Sequence, residues 1–97
     1  MMTMDPVDYR SVLQVLVQAE RNAPSDADIF YLRGRAYVAM DRIQEAIAAF
    51  QRAIGLRPMD PAPYYQLGLT YRKAGQPELS RRILTRMEHM KQTAGAP

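Results

Sequence analysis

The sequence predicts an all-α fold, a stack of antiparallel helical hairpins with about five helices. Three observations predict it. The chain resembles itself at an offset of 34 residues, its apolar residues recur every three or four positions, and capping or helix-breaking residues separate the resulting segments. The sequence contains no alternating apolar pattern that would indicate strands. At 97 residues, 47% of them hydrophobic, the chain is expected to form a single domain.

The offset of 34 residues aligns residues that matter for packing. Tyr31, Gly34, Tyr37 and Arg52 fall on Tyr65, Gly68, Tyr71 and Arg86, while Phe30, Ala46 and Phe50 fall on Tyr64, Ser80 and Leu84. The glycines place no side chain on their helices, so two helices can approach closely, and small Ala46 and Ser80 can receive the facing helix. The space between helices is expected to be filled by Phe30, Tyr37, Tyr64 and Tyr71. We expect Gly68→Leu to cost more than about 2 kcal/mol by overpacking.

The first three helices are predicted over residues 6–22, 26–40 and 42–56. Asp5 and Pro6 form a capping pair that indicates where the first helix begins. Asp41-x-x-Gln44 has the spacing of a capping box, which predicts the start of the third helix. Apolar residues at three- and four-residue spacing then mark an amphipathic helix that Pro58 closes.

The last two helices are predicted over residues 61–74 and 77–92. Asp60 is the expected N-cap of the fourth helix, with Pro61 at its first position. Gly75 ends that helix, and Gln76-Pro77-Glu78 begins the next. Residues 92–97 have the composition of a frayed tail.

These positions resemble the tetratricopeptide-repeat family, whose pattern is W-x2-L-G-x2-Y, then A-x3-F, then P within one repeat. The first copy matches at Phe30, Gly34, Tyr37, Ala46, Phe50, Ala53 and Pro58, and the second at Tyr64, Leu67, Gly68, Tyr71, Ser80 and Leu84. Arg33 departs from the usual leucine, and Asp41 departs from the usual glycine that ends the first helix, although aspartate tolerates a left-handed backbone better than most residues. The resemblance implies a right-handed stack. It divides the single domain, 1–97, into a half repeat (5–24), two full repeats (25–60 and 61–94) and a tail (95–97).

The half repeat consists of a second helix without its first. Its apolar residues span an arc of roughly 200°, whereas a helix covering one neighbour needs about 100°. Three interpretations stay open: the chain self-associates there, it is a piece of a longer repeat array, or the helix packs more deeply against its neighbours. The residues expected to mediate self-association, as in a homodimer, are Tyr9, Val12, Leu13, Val15, Leu16 and Val17.

Catalysis is not indicated by the chain. It has no cysteine, a single histidine, His89, and glycines that are isolated from one another. A thiolate nucleophile, a histidine metal pair and a phosphate-binding glycine loop are therefore not expected. Most acidic residues stand at predicted helix starts, where they cap helices. We expect no enzyme activity, no cofactor and no metal site.

Binding of another protein is the expected function. The resemblance implies a concave face built by the first helix of each repeat, which would hold an extended peptide or an amphipathic helix. The residues expected to face this groove are Asp28, Tyr31, Leu32, Arg35, Val38, Tyr65, Gln66, Leu69, Arg72 and Lys73. The chain would then act as an adaptor, an assembly factor or a small chaperone. The alternative is that these side chains are merely a solvated surface.

Charge supports a second, less favoured function. The net charge is +3, and residues 61–97 hold six basic and two acidic side chains, a net charge of +4. Nucleic acid or an acidic surface would then bind the basic residues Arg72, Lys73, Arg81, Arg82, Arg86 and Lys91. No apolar run approaches the length of a membrane span, and residues 1–6 do not resemble a signal peptide, so the cytoplasm is the default expectation. The methionines of that start predict a disordered lead.

Overall fold

The computed structural model describes residues 8–94, which form five helices and no strand. The helices are α1 (Tyr9–Asn22), α2 (Ala27–Ala39), α3 (Ile43–Leu56), α4 (Pro61–Lys73) and α5 (Pro77–Ala94). α2 packs against α3 and α4 packs against α5, which gives two hairpins. α3 joins the hairpins by packing against α4, and α1 packs against α2. The predicted all-α stack of helical hairpins is confirmed.

The centre of the core lies between α3 and α4. Ala46, Ile47 and Phe50 of α3 cluster with Leu67 and Tyr71 of α4. Phe50 has no exposed surface. α3 is therefore covered on one side by α2 of its own hairpin and on the other by α4 of the next hairpin. This burial of apolar surface on two sides of α3 is the main stabilising contact between the hairpins.

The two repeated glycines mark the closest approach inside each hairpin. A Cβ atom added to Gly34 would lie 2.5 Å from Cε1 of Phe50, and one added to Gly68 would lie 2.5 Å from Cδ2 of Leu84. Real Cβ atoms do not come this close to a neighbour, so each position accepts only glycine unless its partner moves. The close approach predicted from the 34-residue offset is confirmed at both sites.

Aromatic residues fill the space between helices as expected. Phe30, Tyr64 and Tyr71 are buried, and Tyr37 is half-buried against the core cluster. The Tyr64 hydroxyl donates a hydrogen bond to the carbonyl oxygen of Pro58 at 2.7 Å, so this buried polar atom is satisfied. This bond also fixes the loop between the hairpins.

Aspartate caps begin three of the helices. Asp26 accepts a hydrogen bond from the backbone N–H of Asp28 at 2.9 Å, and Asp60 accepts one from Ala62 at 3.0 Å. Each satisfies a backbone donor that the helix itself leaves free. Asp60 followed by Pro61 is the start predicted for the fourth helix, and it is confirmed.

The first helix begins later than predicted, at Tyr9 rather than at residue 6. The physical reason is Asp8, whose carboxylate accepts hydrogen bonds from the side chain of Ser11 at 2.8 Å and from its backbone N–H at 3.4 Å. These bonds lower the pKa of Asp8. The cap is therefore fully formed above the ordinary pKa of aspartate and is lost as the pH falls through the lowered value. Asp5 and Pro6 lie outside the described residues.

Asp41 ends α2 instead of starting α3. Its φ is 61°, the left-handed conformation that aspartate tolerates better than most residues, and Gly75 takes the same role after α4 with a φ of 76°. The backbone N–H of Arg42 bonds to the carbonyl oxygen of Tyr37 at 2.8 Å, which completes a Schellman motif. The predicted capping box of Asp41 and Gln44 is wrong, because Arg42 is the N-cap of α3 and makes no side-chain capping bond.

α5 continues to Ala94, so residues 92–94 are helical rather than part of a frayed tail. Residues 95–97 and the methionine-rich lead lie outside the described residues, and the expectations for them stay predictions.

Loss of the Asp60 cap should be measurable. We expect Asp60→Ala to lower the free energy of unfolding by about 1 kcal/mol, because the N–H of Ala62 loses its partner. Urea denaturation followed by circular dichroism would measure this, with Asp60→Asn as the control that keeps a capping oxygen. An equal loss in both variants would contradict the capping role.

Candidate functional site

Large apolar side chains are exposed on the first helix of each hairpin. Leu32 of α2 is 46% exposed, and on α4 Tyr65 is 49% and Leu69 is 37% exposed. Tyr65 and Leu69 are four residues apart, so they lie next to each other on one helix face. We call the surface formed by Leu32, Arg35, Val38, Tyr65, Gln66 and Leu69 the α2–α4 surface.

Part of this surface lines a pocket of about 440 Å³. Four residues of the predicted groove, Leu32, Arg35, Val38 and Gln66, meet there. The other walls come from Ala36 and Ala39 of α2 and, on α1, from Tyr9, Val12 and Leu16. The pocket is therefore bounded by three helices and is mostly apolar, with Arg35 as its charged side chain.

Tyr31 contributes more to packing than to the surface. It is half-buried, and its ring lies 6.0 Å from that of Phe50 at an angle of 59°. The guanidinium of Arg35 lies 5.9 Å from the centroid of the Tyr31 ring, within the range of a cation–π contact. This contact holds Arg35 over the surface of α2.

Asp28 is tied to the loop between the hairpins. Its carboxylate pairs with Arg57 at 3.0 Å, and Arg57 also approaches Asp60 at 3.8 Å. All three side chains are at least 30% exposed, so this network adds little to stability. Asp28 does not line the pocket that four of the other groove residues line.

Four of the six basic residues line two hollows that share Arg81, whereas Lys73 and Lys91 line neither hollow. Arg72 lines a second pocket of about 440 Å³ together with Arg81 and Glu88, and Lys73 is exposed at the end of α4. Arg81 pairs with Glu78 at 3.3 Å, and Lys91 approaches Glu88 at 3.9 Å. Arg81 also lines a shallow hollow on α5, together with Arg82, Arg86 and His89. Two of the six predicted basic contacts are thus already paired with carboxylates.

α1 leaves apolar surface uncovered, as its wide apolar arc predicts. Val15 is 67% exposed and Val17 is 38% exposed, whereas Leu16 is buried. Tyr9, Val12 and Leu13 are half-buried. Deeper packing of α1 therefore does not cover the whole arc. Self-association through these residues stays a prediction.

Tyr9, Val12 and Leu16, which we expect to mediate self-association, also share a pocket with the α2–α4 surface. The groove predicted from the sequence does not include these three residues. The 34-residue offset contains the missing signal. Leu16 is the repeat equivalent of Phe50, which contacts the first helix of its own hairpin at Gly34. The pocket therefore lies where the first helix of a preceding hairpin would pack.

Two absences hold for the described part of the chain. No helix within residues 8–94 is both long and apolar enough to cross a membrane. In the same range, histidine and acidic side chains form no group of three that could hold a metal ion.

Comparison with solved structures gives close matches of fold. The chain superposes on MamA 41-end from Desulfovibrio magneticus RS-1 with a TM-score of 0.87 and 25% identity, covering 91% of this chain and 50% of that one. A crystal structure of MamA matches with a TM-score of 0.86, 21% identity, and coverage of 90% and 51%. MamA MSR-1 matches with a TM-score of 0.83, 22% identity, and coverage of 90% and 50%. The chain thus spans about half the length of these structures.

Sequence comparison gives a narrower result. No curated protein sequence matches the chain. A family model described as the TPR repeat matches residues 34–75, which run from Gly34 of α2 through α3 and α4 to Gly75. The resemblance to the tetratricopeptide-repeat family predicted from the sequence is confirmed, and residues 34–75 carry that repeat.

Proposed function

We propose that the chain is a non-catalytic module that holds a segment of another protein against the α2–α4 surface. The tetratricopeptide repeat and the fold support a protein–protein interaction or scaffold module in general. The finer proposal rests on one observation, the exposure of Tyr65, Leu32 and Leu69 on the first helices of both hairpins. In helical-repeat arrays those helices build the concave binding face.

The chemistry of the surface fits a polypeptide ligand. Tyr65 offers a large, rigid contact area with a hydroxyl group, and tyrosine and arginine are enriched where proteins bind one another. Arg35 makes no ion pair among residues 8–94, so its charge is available to an acidic side chain. An extended peptide or an amphipathic helix with apolar and acidic residues would satisfy these groups. An adaptor, assembly factor or small chaperone would use such a surface.

The test compares two double variants, each of which removes two exposed apolar side chains. The double variant Tyr65→Ala/Leu69→Ala removes exposed side chains from the α2–α4 surface. The control Met59→Ala/Leu79→Ala removes side chains that are 64% and 37% exposed elsewhere. After circular dichroism shows that both fold, each is used with the wild-type chain to capture proteins from a nuclease-treated lysate for mass spectrometry.

The expected result is a polypeptide captured by the wild-type chain and the control, with at least about tenfold less captured by the Tyr65/Leu69 variant. Equal capture by both variants would contradict the proposal. In an untreated lysate, RNA that is lost steeply between about 50 and 200 mM salt would instead favour the basic residues of α4 and α5.

A further inference from the structure

The second pocket, which we call the α4–α5 pocket, lies where the repeat would place a further first helix. It is formed by the end of α4 and one face of α5. Three of its lining residues are the repeat equivalents of Ala46, Ile47 and Phe50, which cluster with residues of α4 in the core. These three are Ser80, Arg81 and Leu84. The α4–α5 pocket is therefore the position on the second hairpin that α4 occupies on the first.

Positive charge replaces apolar packing at this position. Ile47 is 8% exposed, whereas the side chain of its equivalent, Arg81, is 72% exposed. Val38, which packs against the core cluster, is replaced by Arg72. Arg72 pairs with no carboxylate within residues 8–94, and the pair of Arg81 with Glu78 is exposed, so it contributes little. Both guanidinium groups are thus available to a ligand that carries carboxylates.

A buried hydroxyl group also lies at the α4–α5 pocket. Ser80 is 2% exposed, and its Oγ has no hydrogen-bond partner among residues 8–94. Its equivalent, Ala46, packs in the core cluster and has no polar side-chain atom. A buried hydroxyl without a partner is unfavourable, and an oxygen atom of a docked ligand would accept its hydrogen bond.

Glu88 distinguishes between two kinds of acidic ligand. It lines the α4–α5 pocket together with Arg72 and Arg81. Nucleic acid would bring phosphates, which Glu88 repels, and no aromatic side chain of residues 8–94 lines the pocket to stack on a base. A helix can instead present acidic residues to the arginines and a basic or amide side chain to Glu88. The charges therefore fit a polypeptide better than a nucleic acid.

The described helices do not supply this ligand. The turn from α3 into α4 contains Pro58 and Asp60, whose equivalents, Gln92 and Ala94, still belong to α5. α5 continues through the turn, so the chain does not return onto the pocket at this position of the repeat. A second copy also fits poorly, because no helix within residues 8–94 carries two acidic residues within two turns of each other.

We propose that the α4–α5 pocket binds an amphipathic helix of another polypeptide chain, with acidic residues opposite Arg72 and Arg81 and an apolar residue on Leu84. A helix as long as α4, 13 residues, would extend about 20 Å along α5. The proposal is independent of the α2–α4 function, because no residue of the α2–α4 surface lines this pocket.

The test uses synthetic peptides of residues 60–74, the segment that packs at the equivalent position on the first hairpin. The acidic peptide carries Leu67→Glu and Tyr71→Glu, at the two positions that cluster with Ile47. The control peptide carries Leu67→Lys and Tyr71→Lys, since lysine and glutamate have similar helix propensities. Fluorescence anisotropy measures binding of each labelled peptide to the folded chain at about 0.15 M salt, where distant charges are screened.

Two protein variants reverse the same number of charges. Arg72→Glu/Arg81→Glu changes the pocket, whereas Arg82→Glu/Arg86→Glu changes residues of α5 that do not line it. All four arginines are exposed, so both variants are expected to fold, which circular dichroism checks.

The acidic peptide is expected to bind at least about tenfold more tightly than the lysine peptide, and Arg72→Glu/Arg81→Glu is expected to reverse this order. Arg82→Glu/Arg86→Glu should weaken binding of the acidic peptide less than about threefold. No binding of the acidic peptide at about 1 mM would overturn the proposal, and so would equal loss in both arginine variants. A wild-type dimer in sedimentation that Arg72→Glu/Arg81→Glu converts to a monomer would show that a second copy covers the pocket, against the proposal.

Discussion

Gly34→Leu is expected to lower the free energy of unfolding by at least about 3 kcal/mol. The Cβ atom would lie 2.5 to 2.8 Å from three atoms of the Phe50 ring, and that ring has no exposed surface towards which it could turn. Leucine favours a helix over glycine by only about 0.8 kcal/mol, which does not offset the clash. Urea denaturation followed by circular dichroism would measure the loss.

Gly68→Leu should cost somewhat less, though still more than about 2 kcal/mol. Its clash is with the side chain of Leu84, which is flexible and only half-buried and can turn away in part. In the Gly34 variant, Phe50→Leu replaces the ring with a smaller and more flexible side chain, as Leu84 is in the second hairpin, so it should recover part of the loss. A Gly34 variant as stable as the wild type would show that the helices do not pack through these glycines.

Gly55 provides the matched control. It lies in α3, and a Cβ atom added there meets nothing within 4 Å. Gly55→Ala should therefore stabilise the chain by about 0.5–1 kcal/mol, since alanine loses less backbone entropy in a helix. The opposite signs of the Gly34 and Gly55 substitutions separate a packing requirement from a general effect of removing glycine.

The packing of the hairpins could be predicted from the sequence because each determinant repeats at 34 residues. Gly34 and Gly68 indicated the close contacts, and Asp41 took the left-handed conformation of its equivalent, Gly75. The capping box was predicted wrongly because the spacing of Asp41 and Gln44 is also compatible with a helix end. Local spacing does not distinguish a residue that ends one helix from one that begins the next.

The site was less predictable, because its residues come from interfaces rather than from one helix. Asp28 has the right helical position for the groove, but Arg57 of the next loop holds its carboxylate. Arg33 replaces a leucine of the repeat pattern, and the structure gives the reason: it pairs with Glu20 of α1. The repeat equivalents of this pair, Leu67 and Ile54, pack in the core cluster. The α1–α2 interface is thus more polar than the one between α3 and α4.

Because these two interfaces differ, we expect truncation of equivalent core residues on α3 and α1 to lower stability by different amounts. Phe50→Ala is expected to cost about 3–5 kcal/mol, because it leaves a closed cavity between α2, α3 and α4. Leu16→Ala, at the equivalent position of α1, should cost about 2 kcal/mol or less. Leu16 is 8% exposed and lines the pocket beside α2, so its removal enlarges a space already open to solvent and leaves no sealed void.

Hydrogen exchange shows in which helices each of the two substitutions lowers stability. Helical-repeat stability is a sum of local terms and contacts between neighbours, so α1 is expected to open before the hairpins do. Leu16→Ala should speed exchange of the α1 amides and leave α4 and α5 unchanged, whereas Phe50→Ala should speed exchange in α2, α3 and α4 together. If both variants lost the same free energy of unfolding and showed the same pattern of amide exchange, Leu16 would be packed as fully as Phe50. The end of the stack at α1 would then be closed, and it would have no vacant position for a further helix.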